Sequence, residues 1–213
     1  MARRLATTGC YVMLPNLYYR SDVEELGTLA TDSDLARMRA LMRSIDIPEV
    51  MRDTDAMLAF AKNDDAASRG PAGTVGYCMS GKYAIAAAAR NPDRIKAAAS
   101  VYGVHLVTKG ENEPYLPVDA VTGEVYVAAA ENDRFVPLEE MTVLAEDFRA
   151  KGVNGEVEVY PGVDHGFAFP NRMAYDKAAA EKHWARLHAL FDRNLRGLGD
   201  QRGAAMNALN ASA

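Results

Sequence analysis

The chain has 213 residues, 49% of them hydrophobic, and a formal net charge of -5 at pH 7 from 24 basic and 29 acidic residues. This length is enough for one domain with a buried core, and the charges are spread without long blocks, which argues against binding to nucleic acid or to an anionic membrane. The longest apolar stretches are far shorter than the roughly 20 residues of a membrane span, and no apolar signal core follows Met1. We therefore expect a soluble, cytoplasmic protein.

Cysteine and histidine usage argues against a disulfide framework and a metal site. The two cysteines, Cys10 and Cys78, are too few for a set of disulfides and lack metal-ligand spacing. The histidines contain no HExxH-type pair. They are His105, His165, His183 and His188. The sequence predicts a reducing compartment and no metal site.

The first part of the chain is predicted to contain helices and one strand. A helix over the opening residues is stopped by Gly9, because glycine tolerates the left-handed conformation at a helix end. Residues 11–15 form an apolar run without alternation, which predicts a strand buried on both faces, as in a parallel sheet. After a polar loop, apolar stripes predict one helix around residues 35–42 and another from Pro48 to about Asn63.

Strands and helices alternate regularly in the rest of the chain. A second buried strand is predicted at GTVGY, and further strands are predicted at IKAAASVYG, EVYVAAA and VEVYPG. Helices are predicted at residues 83–90, from Pro137 onward and at residues 174–195. This alternation predicts an α/β fold with helices on both faces of a mainly parallel sheet. We expect one domain over residues 1–199 and a disordered tail over residues 200–213, where apolar bulk is scarce.

Polar residues at the carboxyl ends of the predicted strands are the candidates for chemistry, because functional side chains gather there in such a sheet. Cys78 follows GTVGY, Asp133 follows EVYVAAAEN, and His165 follows VEVYPGVD. A nucleophile, an acid and a histidine in this order is the chain order of the α/β-hydrolase triad. Asp133 is the better partner for His165, since the adjacent Asp164 would point away from it.

The stretch VGYCMSGKYA predicts a sharp strand-to-helix turn with Cys78 at its tip. Such a turn requires small residues two positions to either side of the nucleophile, and Gly76 and Ser80 satisfy that. A helix beginning at Met79 would direct its positive end at the sulfur. The backbone N–H of Met79 is then predicted to donate to an oxyanion, with His165 moving the proton to and from sulfur.

Four blocks of the sequence, LPNLYYR, GYCMSG, ENDRFVP and YPGVDHGF, resemble those of the dienelactone hydrolases. These are α/β-hydrolase enzymes that open lactone esters with a Cys-Asp-His triad, and the resemblance runs from about Arg4 to Leu195. It implies that Cys78 is the nucleophile, Asp133 the acid and His165 the base. It also implies a small-molecule ester or lactone substrate, a thioester intermediate and no cofactor.

The chain departs from this family at its start. Family members usually carry roughly 45 residues before the point where this chain begins, including the loop that supplies a second oxyanion donor. That segment also holds an acidic residue that restrains the resting cysteine, and a strand lying between those that match residues 11–15 and GTVGY. We therefore expect either a fragment, that is, an N-terminally truncated hydrolase, or a protein with a gapped or rearranged sheet.

The second departure concerns the substrate. The best-known family members bind a substrate carboxylate through an arginine four residues after the catalytic histidine, and here that residue is Phe169. Arg172 lies three residues further on. Arg37 and Arg39, on the helix after the LYYR loop, are the other candidates for binding substrate, although each is by default a surface charge.

The remaining candidate residues have simpler interpretations. Cys10 is predicted to be a packed residue that precedes a buried strand. His105 is predicted to be a loop residue, and His183 and His188 to be solvated or packing residues on the last helix. A serine esterase acting through Ser80 is disfavoured, because the positions that would need glycine hold Cys78 and Lys82.

Two alternatives to an active hydrolase remain open from the sequence. One is a catalytically impaired remnant or binding protein of the same fold. The other is a thiol redox sensor at Cys78, which predicts reversible oxidation without ester turnover. In each case we expect a monomer or a weak homodimer.

Overall fold

The computed structural model describes residues 1–26, 31–107 and 116–196. These residues form two compact units, one over residues 1–68 and one that begins at Arg69. The expected tail at residues 200–213 lies outside the described residues, and the expected domain boundary at residue 199 stays a prediction.

The first unit is helical. Its helices are α1 (Ala2–Ala6), α2 (Asp32–Arg43) and α3 (Ile47–Lys62). Capping boxes begin α2 and α3: Thr31 accepts a hydrogen bond from the N–H of Asp34, and Asp46 accepts one from that of Glu49. These side chains satisfy N–H groups that the first turn of a helix leaves unpaired. Gly9 follows α1 with a φ of +86°, as predicted for a residue that ends a helix.

Residues 11–15, predicted to form a buried strand, are not in a strand. Leu14 is 80% exposed, and Tyr11 is exposed as well. A strand exists through hydrogen bonds to a neighbouring strand, and none of the described strands pairs with this segment. The prediction is wrong because an apolar run does not by itself provide a pairing partner.

The second unit is built on a sheet of four parallel strands in the order in which they occur in the chain. They are β1 (Ala72–Tyr77), β2 (Ile95–Val101), β3 (Glu124–Asn132) and β4 (Gly155–Asp164). All four correspond to predicted strands. The last residues of β1 and β2, Tyr77 and Val101, are in register, and so are Asn132 and Asp164, the last residues of β3 and β4. The residues that follow the strands therefore emerge along the same edge of the sheet.

Helices cover both faces of this sheet. They are α4 (Gly81–Arg90), α5 (Leu138–Ala150) and α6 (Lys177–Leu195). Thr74 in β1 donates a hydrogen bond to Ala84 O of α4 at 2.9 Å. The preceding residue, Gly73, faces α6, because a Cβ atom there would lie 2.7 Å from the ring of Phe191. Successive residues of a strand point to opposite faces, so α4 and α6 lie on opposite sides.

The same reasoning places α5 on the face opposite to α6. Arg193 of α6 forms an ion pair with Glu124, the first residue of β3. The next residue, Val125, is in register with Gly155, where a Cβ atom would lie 2.3 Å from the ring of Phe148 in α5. The predicted three-layer α/β architecture is confirmed.

The core lies between these layers. Ala97, Ala98 and Ala99 in β2 are completely buried, and their small side chains let helices approach the sheet closely. Larger buried side chains such as Phe148 and Leu187 contribute most of the apolar surface, at about 1.5–3 kcal/mol each. Among the described helices, none combines the length and the apolar character that crossing a membrane requires.

Candidate active site

The three residues predicted to form a triad lie at the carboxyl ends of strands in the second unit. Cys78 directly follows β1, Asp133 directly follows β3, and His165 directly follows β4. Nδ1 of His165 lies 2.7 Å from Oδ2 of Asp133. A carboxylate only accepts hydrogen bonds, so Nδ1–H donates and Nε2 is the nitrogen left for the sulfur of Cys78.

Asp133 is held firmly in place. Its Oδ1 accepts hydrogen bonds from the backbone N–H groups of Phe135 at 2.8 Å and Val136 at 3.3 Å, and its side chain is only 2% exposed. The contact of His165 Nδ1 is with Asp133 and not with the adjacent Asp164. A carboxylate fixed by two amides orients the imidazole that it contacts.

The environment of His165 favours its charged form. Burial lowers the pKa of His165, but the hydrogen bond to Asp133 and the neighbouring Cys78 thiol raise it more, from 6.5 to about 9. Nε2 is buried and makes no hydrogen bond to the described residues. A group of this kind, held in position with an unused nitrogen, can take or give a proton when a reacting atom approaches.

Cys78 occupies a strained turn between β1 and α4. Its φ is +54°, a value that costs a non-glycine residue about 1–3 kcal/mol. Gly76 is required here, because a Cβ atom would lie 2.0 Å from Ser80 O. The turn predicted from Gly76 and Ser80 is therefore present, with its strain concentrated at the sulfur-bearing residue.

Ser80 does more at this turn than provide a small side chain. Its Oγ accepts a hydrogen bond from Tyr77 N at 2.8 Å and donates one to Tyr77 O at 2.9 Å. Sequence reasoning missed this contact, although serine's tendency to bond nearby backbone groups in turns was available as a signal.

The helix after Cys78 begins later than predicted. Residues Cys78–Ser80 form a turn of 3₁₀ helix, and α4 starts at Gly81 rather than at Met79. The tighter turn accommodates the left-handed conformation of Cys78 before the regular helix begins. The role of the Met79 N–H as an oxyanion donor stays a prediction.

Aromatic rings surround the imidazole of His165. The ring centroids of Tyr102 and Phe135 lie 4.9 Å and 4.8 Å from that of His165. Phe135 is 55% exposed, and the guanidinium of Arg134 lies over its ring. Sequence reasoning assigned no role to Tyr102 or Phe135. The position of Tyr102 near the carboxyl end of the predicted strand IKAAASVYG was the signal available for it.

A model of the dienelactone hydrolase family matches residues 1–195 of this chain. The chain belongs to the dienelactone hydrolase family. A candidate carboxymethylenebutenolidase of Methylorubrum extorquens is 29% identical over 195 residues, which are 90% of this chain and 65% of that protein. A carboxymethylenebutenolidase of Rhodococcus opacus is 26% identical over 203 residues, 92% of this chain and 75% of that protein. The chain thus spans only part of the length of these two relatives.

Solved structures show the same fold. The crystal structure of a candidate dienelactone hydrolase from Klebsiella pneumoniae superposes with a TM-score of 0.75 at 26% identity, over 89% of this chain and 78% of that one. An alpha/beta hydrolase enzyme from a deep-sea metagenome library superposes with a TM-score of 0.53 at 16% identity, over 67% of this chain and 63% of that one. The α/β-hydrolase fold predicted from the sequence is confirmed.

The side chains at the candidate substrate-binding positions named from the sequence are half-buried or exposed. Phe169 is half-buried, and its ring lies edge-on to that of Tyr77 at 5.1 Å. Arg172 is exposed. Arg37 and Arg39 are exposed residues of α2 in the first unit, and their proposed contact with substrate stays a prediction.

The structure also places the remaining candidate histidines and Cys10 of this dienelactone hydrolase family member. His183 is completely buried and its Nδ1 donates to Ala180 O, so the hydroxyl of Tyr77 donates to Nε2 at 3.2 Å. His105 lies exposed in the loop after β2, as predicted. Cys10 is partly exposed and the residues after it form no strand, so the prediction of a packed residue before a buried strand is wrong. In the described ranges no group of three or more His, Cys, Asp or Glu side chains is placed to hold a metal ion.

Proposed function

We propose that this member of the dienelactone hydrolase family cleaves an ester or lactone bond by nucleophilic catalysis. Cys78 is the nucleophile, His165 transfers the proton, and Asp133 orients His165. The observation that carries the proposal is the 2.7 Å contact between Asp133 and His165 beside a cysteine with a φ of +54°. An imidazole held by a carboxylate next to a nucleophile on a strained turn is the arrangement that acyl transfer requires.

The first half of the reaction forms a thioester. The sulfur of Cys78 attacks the carbonyl carbon, its proton resides on Nε2 of His165, and the π electron pair of the carbonyl moves to oxygen. The N–H of Met79 donates to that oxygen. When the pair returns, the bond between carbon and the leaving oxygen breaks, and His165 gives its proton to the leaving alcohol.

The second half releases the acid. A water molecule attacks the thioester carbonyl and gives its proton to His165. Collapse of the tetrahedral species breaks the bond between carbon and sulfur, which frees Cys78 and the carboxylic acid. The imidazole therefore acts as acid in one half and as base in the other, and a pKa raised to about 9 supports the acid step.

The family and its relatives support the substrate class. Curated relatives carry the name carboxymethylenebutenolidase, the name of a lactone-opening enzyme. Phe169 stands where the best-known family members have an arginine for the substrate carboxylate. We therefore propose that the acyl part of the substrate is uncharged and that dienelactone itself is not the preferred substrate.

The experiment is hydrolysis of p-nitrophenyl acetate by the wild-type chain, Cys78→Ala and Cys10→Ala. Cys78→Ala is expected to lose turnover and the initial burst of p-nitrophenol, because no thioester can form. Cys10→Ala is the matched control and is expected to keep both, since Cys10 has no part in the proposed triad. Equal turnover in wild type and Cys78→Ala would contradict the triad assignment. Absence of turnover in the wild type, with reversible oxidation of Cys78, would favour the redox sensor.

A further inference from the structure

The hydroxyl group of Tyr102 is buried and has no hydrogen-bond partner among the residues that the structure describes. The residue is only 3% exposed, and among the described residues nothing accepts from or donates to its Oη. Buried tyrosine hydroxyls normally have a partner, so an orphaned one calls for an explanation. The triad mechanism makes no use of this group.

Tyr102 is the neighbour of Cys78 across the sheet. Tyr77 is in register with Val101, so Cys78 and Tyr102 are the next residues on two adjacent parallel strands. Both have a positive φ, +54° for Cys78 and +39° for Tyr102. The N–H of Val104 donates to Cys78 O at 3.2 Å, which ties the segment after β2 to the turn that carries the nucleophile. Strained residues at adjacent strand ends are typical of functional sites.

The ring of Tyr102 is fixed within the site. Its centroid lies 4.9 Å from the ring of His165, 5.2 Å from that of Phe167 and 6.0 Å from that of Tyr77. Burial raises the pKa of Tyr102 above its ordinary value, and the nearby Tyr77 and Cys78 raise it further. The phenol therefore stays protonated at neutral pH and can donate one hydrogen bond.

Ser100 offers a contrast. Its Oγ is also buried, and no described residue forms a hydrogen bond with it. A Cβ atom on Gly81 would lie 2.3 Å from this oxygen, and one on Gly103 would lie 2.1 Å from it. Two backbone segments therefore crowd the Ser100 hydroxyl and leave no room for a ligand, whereas the Tyr102 ring borders the reacting groups.

We propose that the hydroxyl of Tyr102 donates a hydrogen bond to the substrate oxygen that becomes negative when Cys78 attacks the carbonyl. This inference rests on the proposed function and adds a side-chain donor to the Met79 N–H. As the bond between sulfur and carbon forms, the carbonyl π pair moves to oxygen and the thiol proton resides on His165. The phenol keeps its own proton and stabilises that oxygen, so Tyr102 is a catalytic residue.

The test uses Tyr102→Phe, which keeps the ring contacts and removes only the hydroxyl. We expect kcat for p-nitrophenyl acetate to fall about 10- to 100-fold with little change in KM, because the bond strengthens in the transition state. Trifluoroacetone, which forms a reversible tetrahedral adduct with a thiol, is expected to bind more weakly by a similar factor. Alkylation of Cys78 by iodoacetamide creates no oxyanion and is expected to keep its wild-type rate.

Tyr126→Phe is the matched control. Tyr126 is also a buried tyrosine and lies seven residues before Asp133 along the chain. Unlike that of Tyr102, its hydroxyl donates to Glu158 at 2.6 Å and contacts Tyr160 Oη at 2.8 Å. We expect this variant to lower the thermal denaturation midpoint and leave kcat unchanged. Tyr102→Phe is expected to lower kcat and to leave the thermal denaturation midpoint unchanged.

The results separate this inference from the proposed function. Loss of turnover in Cys78→Ala, together with wild-type kcat and trifluoroacetone affinity in Tyr102→Phe, would overturn the role of Tyr102 and leave the triad intact. A Tyr102→Phe variant whose alkylation slows as much as its turnover would also overturn it, because the hydroxyl would then only support the turn. If the wild type has no turnover, trifluoroacetone binding still tests the inference. Equal affinity in wild type and Tyr102→Phe, or no binding by the wild type, would reject it.

Discussion

The hydroxyl of Ser80 hydrogen-bonds both backbone groups of Tyr77, accepting from its N–H at 2.8 Å and donating to its C=O at 2.9 Å. These two contacts close the turn that holds Cys78 with a φ of +54°. A left-handed cysteine relaxes unless its surroundings oppose that change, and here a side chain three residues beyond Tyr77 opposes it.

Ser80→Ala is therefore expected to loosen the turn. Loss of the two hydrogen bonds should lower the free energy of unfolding by about 1–2 kcal/mol and kcat about tenfold, because the sulfur is held less firmly. Urea denaturation and ester hydrolysis measure the two effects. Ser33→Ala, on the exposed surface of α2, is the control and should change neither. Full activity in Ser80→Ala would show that the turn keeps its shape without the hydroxyl.

Gly76→Ala tests the space beneath the turn. The added Cβ would lie 2.0 Å from Ser80 O, and since that atom belongs to the backbone the whole turn must move. We expect loss of more than 2 kcal/mol of stability and of nearly all activity. Gly152→Ala, at a φ of +68° with nothing within 4 Å of the new Cβ, should cost only about 1 kcal/mol and no activity. Equal effects in the two variants would mean that crowding at Gly76 is unimportant.

The pKa of His165 predicts how stability depends on pH. Folding raises this pKa from 6.5 to about 9, so the folded state binds the proton more tightly than the unfolded state does. The resulting stabilisation is fully present below pH 6.5 and is lost as the pH rises through about 9. The difference in unfolding free energy between wild type and His165→Gln should therefore shrink across this range, as urea titrations can measure. A difference that stays constant with pH would contradict the raised pKa.

Phe169→Arg tests the proposal that the preferred acyl group is uncharged. The new guanidinium attracts a substrate carboxylate, so kcat/KM for mono-p-nitrophenyl succinate should rise about tenfold relative to that for p-nitrophenyl butyrate. Phe169→Leu removes the ring contact with Tyr77 without adding charge and is the matched control. If the wild type already prefers the succinate ester, another residue binds the carboxylate and the proposal is wrong.

Much of the second unit could be predicted from the sequence because its signals are local. Apolar runs marked β2 and β3, which are buried on both faces as the inner strands of a parallel sheet are. β1 and β4 are less buried, and β4 carries Glu156 and Glu158 between apolar residues. The order of Cys78, Asp133 and His165 after successive strands predicted that they would meet, because parallel strands end at the same edge. The distance of 2.7 Å between His165 Nδ1 and Asp133 Oδ2 agrees with that prediction for these two residues.

The tertiary structure decided what depends on residues far apart in the chain. Residues 11–15 have the composition of a buried strand but lack a described pairing partner, and composition does not show whether a partner exists. The lack of a described hydrogen-bond partner for the Tyr102 hydroxyl is likewise a property of the tertiary structure, because the residues around it are distant in the chain. The sequence by itself determined the four strands of the sheet, because the apolar residues that mark a strand are a local signal. Which hydrogen bonds those side chains make, and which they lack, was decided by packing between distant segments.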